Sequence, residues 1–181
     1  GNIGVAAYGV VANISLVAVA LFNGIAQGSQ PLVSYHYGKG DHAGCRKLLR
    51  YALTTVCIFA PALFLLVFFF APQIVRAYLS HATDELIAYS IQAFRKYSIS
   101  YLLLGFNIVI GGFLTALERP LPAISISVGR GLVLQSAVLL TLAAAFGGEA
   151  IWYTPVLSET MCLVMSLLFL RSYRRQTDMQ A

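Results

Sequence analysis

From Ala52 to Pro72 the sequence reads ALTTVCIFAPALFLLVFFFAP, 21 residues without a single charge. A helix needs about 20 mostly apolar residues to cross the hydrocarbon core of a bilayer. Inside lipid, the backbone must satisfy its own hydrogen bonds, and a run of this length without polar alternation does so as a helix. Four further stretches meet or approach the same criterion, so five spanning helices are predicted, centred near Val17, Phe64, Asn107, Leu139 and Leu163. The composition agrees, with 59% hydrophobic and only 10% charged residues. The fold class that follows is all-α, a polytopic membrane helix bundle.

The spans have readable boundaries. Span one runs from Val5 to Ser34, long enough to tilt or to project beyond the bilayer, with Gly24 and Gly28 one turn apart as a close-packing face and Pro31 near its end. The Gly-rich, basic stretch HYGKGDHAGCRK turns the chain into span two, Leu48 to Leu79, which carries Pro61 and Pro72. Prolines are tolerated there when neighbouring groups supply the missing hydrogen bonds. Thr83 followed by Asp84 and Glu85 is a helix-capping pattern, and the segment from Ser80 to Lys96 is expected at the outer surface. Span three follows from Tyr97 to Leu117 and ends at ERPLP, since proline cannot continue a helix. Span four covers Pro122 to Phe146. A turn at Gly147 and Gly148 leads into span five, Ile151 to Leu170, with a polar tail after it. No linker separates domains, so residues 1–181 read as one bundle. The opening residues, GNIGVAAYGVV, have neither a basic region nor a start methionine. No targeting peptide is expected, and the chain reads as beginning within a longer protein.

The basic residues are distributed unevenly. Lys39, Arg46, Lys47, Arg50, Arg119, Arg171, Arg174 and Arg175 fall on one side of the predicted membrane, against Arg76, Arg95 and Lys96 on the other. The positive-inside rule then places the C-terminus in the cytoplasm and the N-terminal residue outside. Positive charge explained by topology leaves no reason to expect a nucleic-acid partner.

Polar residues inside the spans point to function. Asn23, Gln27, Gln30 and Ser34 recur at steps of four, three and four, which gathers them on one helix face. An unpaired amide in hydrocarbon costs several kcal/mol, so this face meets either other helices or the wall of an aqueous cavity. Asn107, at the centre of span three among glycines, has the same two readings. Arg130 in span four and Glu159 near the middle of span five lie about 13 and 18 Å from the inner boundary, depths compatible with an ion pair. An isolated charge at such depth costs about 2.5–3.5 kcal/mol, so each faces the protein interior or a cavity. The pair either locks the bundle or makes Glu159 a protonation site coupled to transport; the alternative is that Arg130 snorkels inwards and leaves Glu159 protonated and neutral. Pro155, one turn earlier, is a candidate hinge.

Enzymatic signals are weak. GKG at positions 38–40 lacks the first glycine of a phosphate loop, because Val33 stands there, and no Ser or Thr follows Lys39. His36, His42 and His81 have no ligand spacing and are expected at membrane edges. Cys45, Cys57 and Cys162 are unpaired in spacing and expected as small buried residues. No cofactor, metal or catalytic residue is predicted.

The stretch VAAYGVVANISLVAVALFNGIAQGSQPLVSYHYGKGD resembles the eighth of twelve helices in the multidrug and toxic compound extrusion (MATE) family. FRKYSISYLLLGFNIVIGGFLTALERPLPAISISVGRGLVL is similar to helices ten and eleven, and FGGEAIWYTPVLSET to the start of helix twelve, in the pattern of the MepA-like bacterial branch. The resemblance implies five helices of a C-terminal lobe, in a fold of two six-helix lobes whose cleft opens alternately to each side. It places the amide stripe of span one on the central cavity. It further implies a multi-pass protein of the bacterial cytoplasmic (inner) membrane, partnered by an N-terminal lobe. Its cargo would be cationic, amphipathic drug-like compounds, exported by antiport against a proton or sodium gradient. The N-terminal lobe and helix seven have no counterpart in these residues. The sodium-coupled branch has an acid in helix ten, where this chain offers only Asn107 and, at the end, Glu118. A lipid-linked saccharide flippase of the same superfamily, or a non-transporting membrane scaffold, are the alternatives.

Overall fold

The computed structural model describes residues 2–79, 82–147 and 150–178. His81 and Gly148, expected at a membrane edge and in a turn, lie outside them. Among the described residues the chain is helical with short turns: α1 Asn2–Gly38, α2 His42–Tyr78, α3 Asp84–Ser98, α4 Tyr101–Ala116, α5 Pro120–Val128, α6 Leu134–Phe146 and α7 Thr154–Asp178. A π-helical turn, Gly129–Val133, joins α5 to α6, and a 3₁₀ turn, Ala150–Tyr153, leads into α7. Four apolar helical stretches are long enough to cross a membrane, and α3 with α4, bent by 43° at their junction, passes the same length and apolarity test only when the two are taken as one span. The all-α membrane helix bundle expected from hydropathy is therefore the architecture found, with four spans, or five when the bent pair counts as one.

The 16 residues of α4 are too short to span alone. The continuous third span expected from Tyr97 is instead interrupted at Ile99 and Ser100, and α3 packs on α1 and α2 with Ser90, Ala93, Phe94 and Ser98 buried. Thr83 caps α3 as its sequence pattern predicts, accepting from the Leu86 amide. Arg95 of α3 also completes α2. Pro72 has no N–H to give the Phe68 carbonyl four residues earlier. The Arg95 Nε supplies the bond at 3.2 Å while its guanidinium lies 5.1 Å from the Phe68 ring centroid.

The centre of the bundle is α4, in contact with α1, α2, α5 and α7. Its glycines allow this. A Cβ on Gly105 would sit 2.6 Å from the Phe22 ring of α1, and one on Gly112 would sit 3.0 Å from Ala26 Cβ and the Gln30 amide. The close-packing face expected at Gly24 and Gly28 meets no partner among the described residues, since none lies within 4 Å of a Cβ at either position. Close approach is supplied by the glycines of α4 instead.

Three further expectations change. α7 continues through the predicted polar tail to Asp178, held by buried Tyr173, whose ring meets Phe113 edge-on at 5.8 Å and Arg119 at 5.5 Å. Pro155 lies in the first turn of α7, where its missing N–H breaks no helical bond, so it is no mid-span hinge. Cys45 and Cys162 are buried as expected, but Cys57 is exposed on the outer face of α2.

The turn from α1 to α2 is fixed locally. Gly40 adopts φ +73°, and Asp41 accepts from the Gly44 amide at 2.8 Å while its other oxygen lies 2.7 Å from His36 Nδ1. The amide bond, first, and the His36 contact hold the Asp41 carboxyl below its ordinary value of 3.8.

Candidate functional site

The polar face of α1 borders a cavity of about 320 Å³. Asn23, Gln27 and Gln30 line it from α1, Asn107, Gly111, Gly112 and Thr115 from α4, and Ser127 and Arg130 from the chain beyond α5's first turn. The three α1 amides make no hydrogen bond to another described residue, so their donors and acceptors are available to whatever occupies the cavity. Pro31 adds a backbone acceptor on this face, since it cannot donate to the Gln27 carbonyl. Ser34 does not line the cavity. Its hydroxyl donates to the Ala116 carbonyl at 3.1 Å, spending it on a contact between α1 and α4, which corrects its assignment to the stripe.

Asn107 is fully buried, and its amide is used on both sides. Nδ2 donates to the Glu159 carboxylate at 2.7 Å and to the Glu159 backbone carbonyl at 2.9 Å, and Oδ1 accepts from Ser166 Oγ at 3.1 Å. Glu159 and Ser166 are seven residues apart, two turns of α7, so both face α4. That spacing was readable in the sequence, yet Ser166 was not singled out there, nor were the cavity-lining Thr115 and Ser127. Glu159 lies in the second turn of α7, which runs on past Leu170 to Asp178.

The second carboxylate oxygen faces Arg130 Nη1 at 3.5 Å. Glu159 is almost wholly buried, whereas the Arg130 side chain retains 25% exposure and reaches the cavity. Arg130 sits in the π-helical turn, where Leu134 N–H bonds to the Gly129 carbonyl five residues back. Such turns are rare and recur at functional sites. Glycines on both sides of Arg130 permit it, and a Cβ on Gly129 would lie 3.0 Å from Met165 Cε of α7. Beside the pair, Ser158 Oγ donates to Gln135 Oε1 at 2.7 Å, a second polar tie between α6 and α7. Among the described residues no cluster of three His, Cys, Asp or Glu side chains is built to hold a metal ion.

This is a membrane bundle with a polar chamber among its helices and one ion pair at its wall. The sequence profile of the family described as MatE matches residues 1–141. The chain belongs to the MatE family. Its fold is matched by solved structures of MATE transporters. An outward-facing multidrug resistance MATE family transporter of the MOP superfamily aligns with TM-score 0.91 at 17% identity, over 98% of this chain and 40% of that one. An inward-facing conformation of such a transporter aligns with TM-score 0.87 at 15% identity, over 97% and 40%. A MATE protein in complex with MaL6 gives 0.90 at 16%, over 98% and 40%. The MatE chain thus spans about 40% of the length of the structures it matches. No curated protein matches the sequence. The family is one of membrane transporters, and the fold shared with these structures is the part of the account that their similarity carries.

Proposed function

We propose that this chain is the C-terminal lobe portion, helices 8 to 12, of a MepA-like bacterial multidrug antiporter. The whole transporter would lie in the cytoplasmic membrane with its C-terminus inside. It would export cationic, amphipathic compounds through a cleft shared with an N-terminal lobe, using a proton or sodium gradient. The observation that carries this reading is the set of unspent amides, Asn23, Gln27 and Gln30, facing a cavity inside a membrane bundle. A scaffold would spend such amides in helix contacts, as Ser34 is spent. A flippase for lipid-linked saccharides calls for a basic chamber, whereas the one charge among the described residues lining this cavity, Arg130, is answered by Glu159. The fold aligns with both an inward-facing and an outward-facing structure, which supports movement of the bundle as a unit.

In this reading Glu159 is the coupling group. Its carboxylate holds Arg130 at the cavity wall. Binding of a proton or cation competes with that ion pair, releasing Arg130 and changing the charge presented to cargo. The test is gradient-driven efflux of a fluorescent cationic dye from inverted vesicles, made with the full-length transporter and its Glu159→Gln variant. Loss of gradient dependence at normal abundance and melting temperature supports the coupling role. Unchanged efflux reduces Glu159 to a structural partner of Arg130 and Asn107.

A further inference from the structure

A second cavity, about 810 Å³, lies between the start of α2 and the end of α7. We propose that it binds the headgroup of an anionic phospholipid from the surrounding bilayer. The proposal requires only that the bundle sits in a membrane and is independent of what it transports.

Arg46, Lys47 and Arg50 line the cavity from α2 and Arg174 from α7, and no acidic side chain is among the described residues lining it. Lys47 and Arg50 are three apart and Arg46 and Arg50 four apart, so α2 stacks like charges on one face. Arg174 brings another cation to the same space from a different helix. Like charges brought together this way repel one another, and an anion between them relieves the repulsion. Lys47, Arg50 and Arg174 are exposed, and Lys47 Nζ is positioned 5.8 Å from the Tyr51 ring centroid. Arginine offers a fork of donors matched to phosphate oxygens.

The same cavity continues upward along α2 past Leu49, Leu53 and Cys57. Beyond it the outer face of α2 exposes Ile58, Phe59, Leu65 and Leu66. A cationic floor beneath an apolar wall matches a phosphate headgroup below its acyl chains. A free phosphate would use only the floor. Basic pockets between membrane helices at the level of the headgroups suit lipids with phosphate-rich heads such as cardiolipin.

Native mass spectrometry of the purified full-length protein with added cardiolipin, phosphatidylcholine or inorganic phosphate tests this. The expected result is cardiolipin retained at least about tenfold more than phosphatidylcholine, with the preference lost in Arg50→Gln/Arg174→Gln and restored in Arg50→Lys/Arg174→Lys. Arg76→Gln, at the other end of α2, should retain the preference. Equal retention of the two lipids, a preference unchanged in the Gln variant, or displacement of cardiolipin by millimolar phosphate would each overturn the proposal. If the Gln variant does not purify, wild-type cardiolipin retention is read against rising salt: a fall supports the site and indifference refutes it.

Discussion

Asn107 and Gln27 carry the same amide and line the same cavity from facing helices, yet they stand in opposite states. Asn107 is fully buried and bonded through both of its amide atoms to α7. Gln27 is exposed and bonded to no described residue. A membrane bundle thus uses polar side chains in two ways, and residue type does not distinguish them. What distinguishes them is whether a neighbouring helix brings its own polar group within reach. α7 brings Glu159 and Ser166 to Asn107, while opposite the amides of α1 the glycines of α4 bring no side chain at all. A saturated polar knot resists disruption, and an unsaturated stripe resists little but can bind.

The sharpest way to break the contrast is Asn107→Leu. It removes the donor to the buried Glu159 carboxylate and the acceptor for Ser166, and is expected to destabilise the full-length protein by about 2–3 kcal/mol in thermal melting. Next comes Gly105→Ala, whose Cβ must displace the Phe22 ring, at a cost of about 1–3 kcal/mol. Gly28→Ala, facing open space, should change stability by about 0.5–1 kcal/mol at most, and in the stabilising direction. Arg95→Ala leaves the Phe68 carbonyl without its donor and removes the ring contact, for a loss of about 1 kcal/mol.

The smallest effect concerns the turn from α1 to α2. Because the folded-state value of Asp41 is lowered, its contribution is complete above the ordinary value of 3.8 and is lost as pH falls through the lower folded value. Melting temperature should therefore lose this contribution only in strong acid, and Asp41→Asn should remove that limb of the profile while leaving the rest of the curve's shape intact.

Hydropathy made the membrane bundle and its long apolar helices legible, because the bilayer imposes length and apolarity on each span. The ends of the helices were less legible. Nothing local stops α7 at Leu170, and it continues because Tyr173 finds Phe113 and Arg119. The glycines illustrate the same limit. Gly24 and Gly28 have the spacing of a packing motif, but spacing cannot say which face meets a partner, and the contact fell to Gly105 and Gly112. At the site, helical periodicity gathered Asn23, Gln27 and Gln30 on one face and put Arg130 and Glu159 at similar depth. It could not reveal that Ser34 would be spent on Ala116, nor that a π-helical turn would carry Arg130 to within 3.5 Å of Glu159, since both depend on contacts between helices.

The most direct test of the central claim, that the α1 stripe is a working surface, is Gln27→Leu in the full-length transporter, with dye efflux and melting temperature measured on the same preparations. Efflux should fall about tenfold, the weight of one hydrogen bond, with stability held within about 0.5 kcal/mol of wild type. Undiminished efflux, or a loss that merely follows a fall in melting temperature, would contradict that claim.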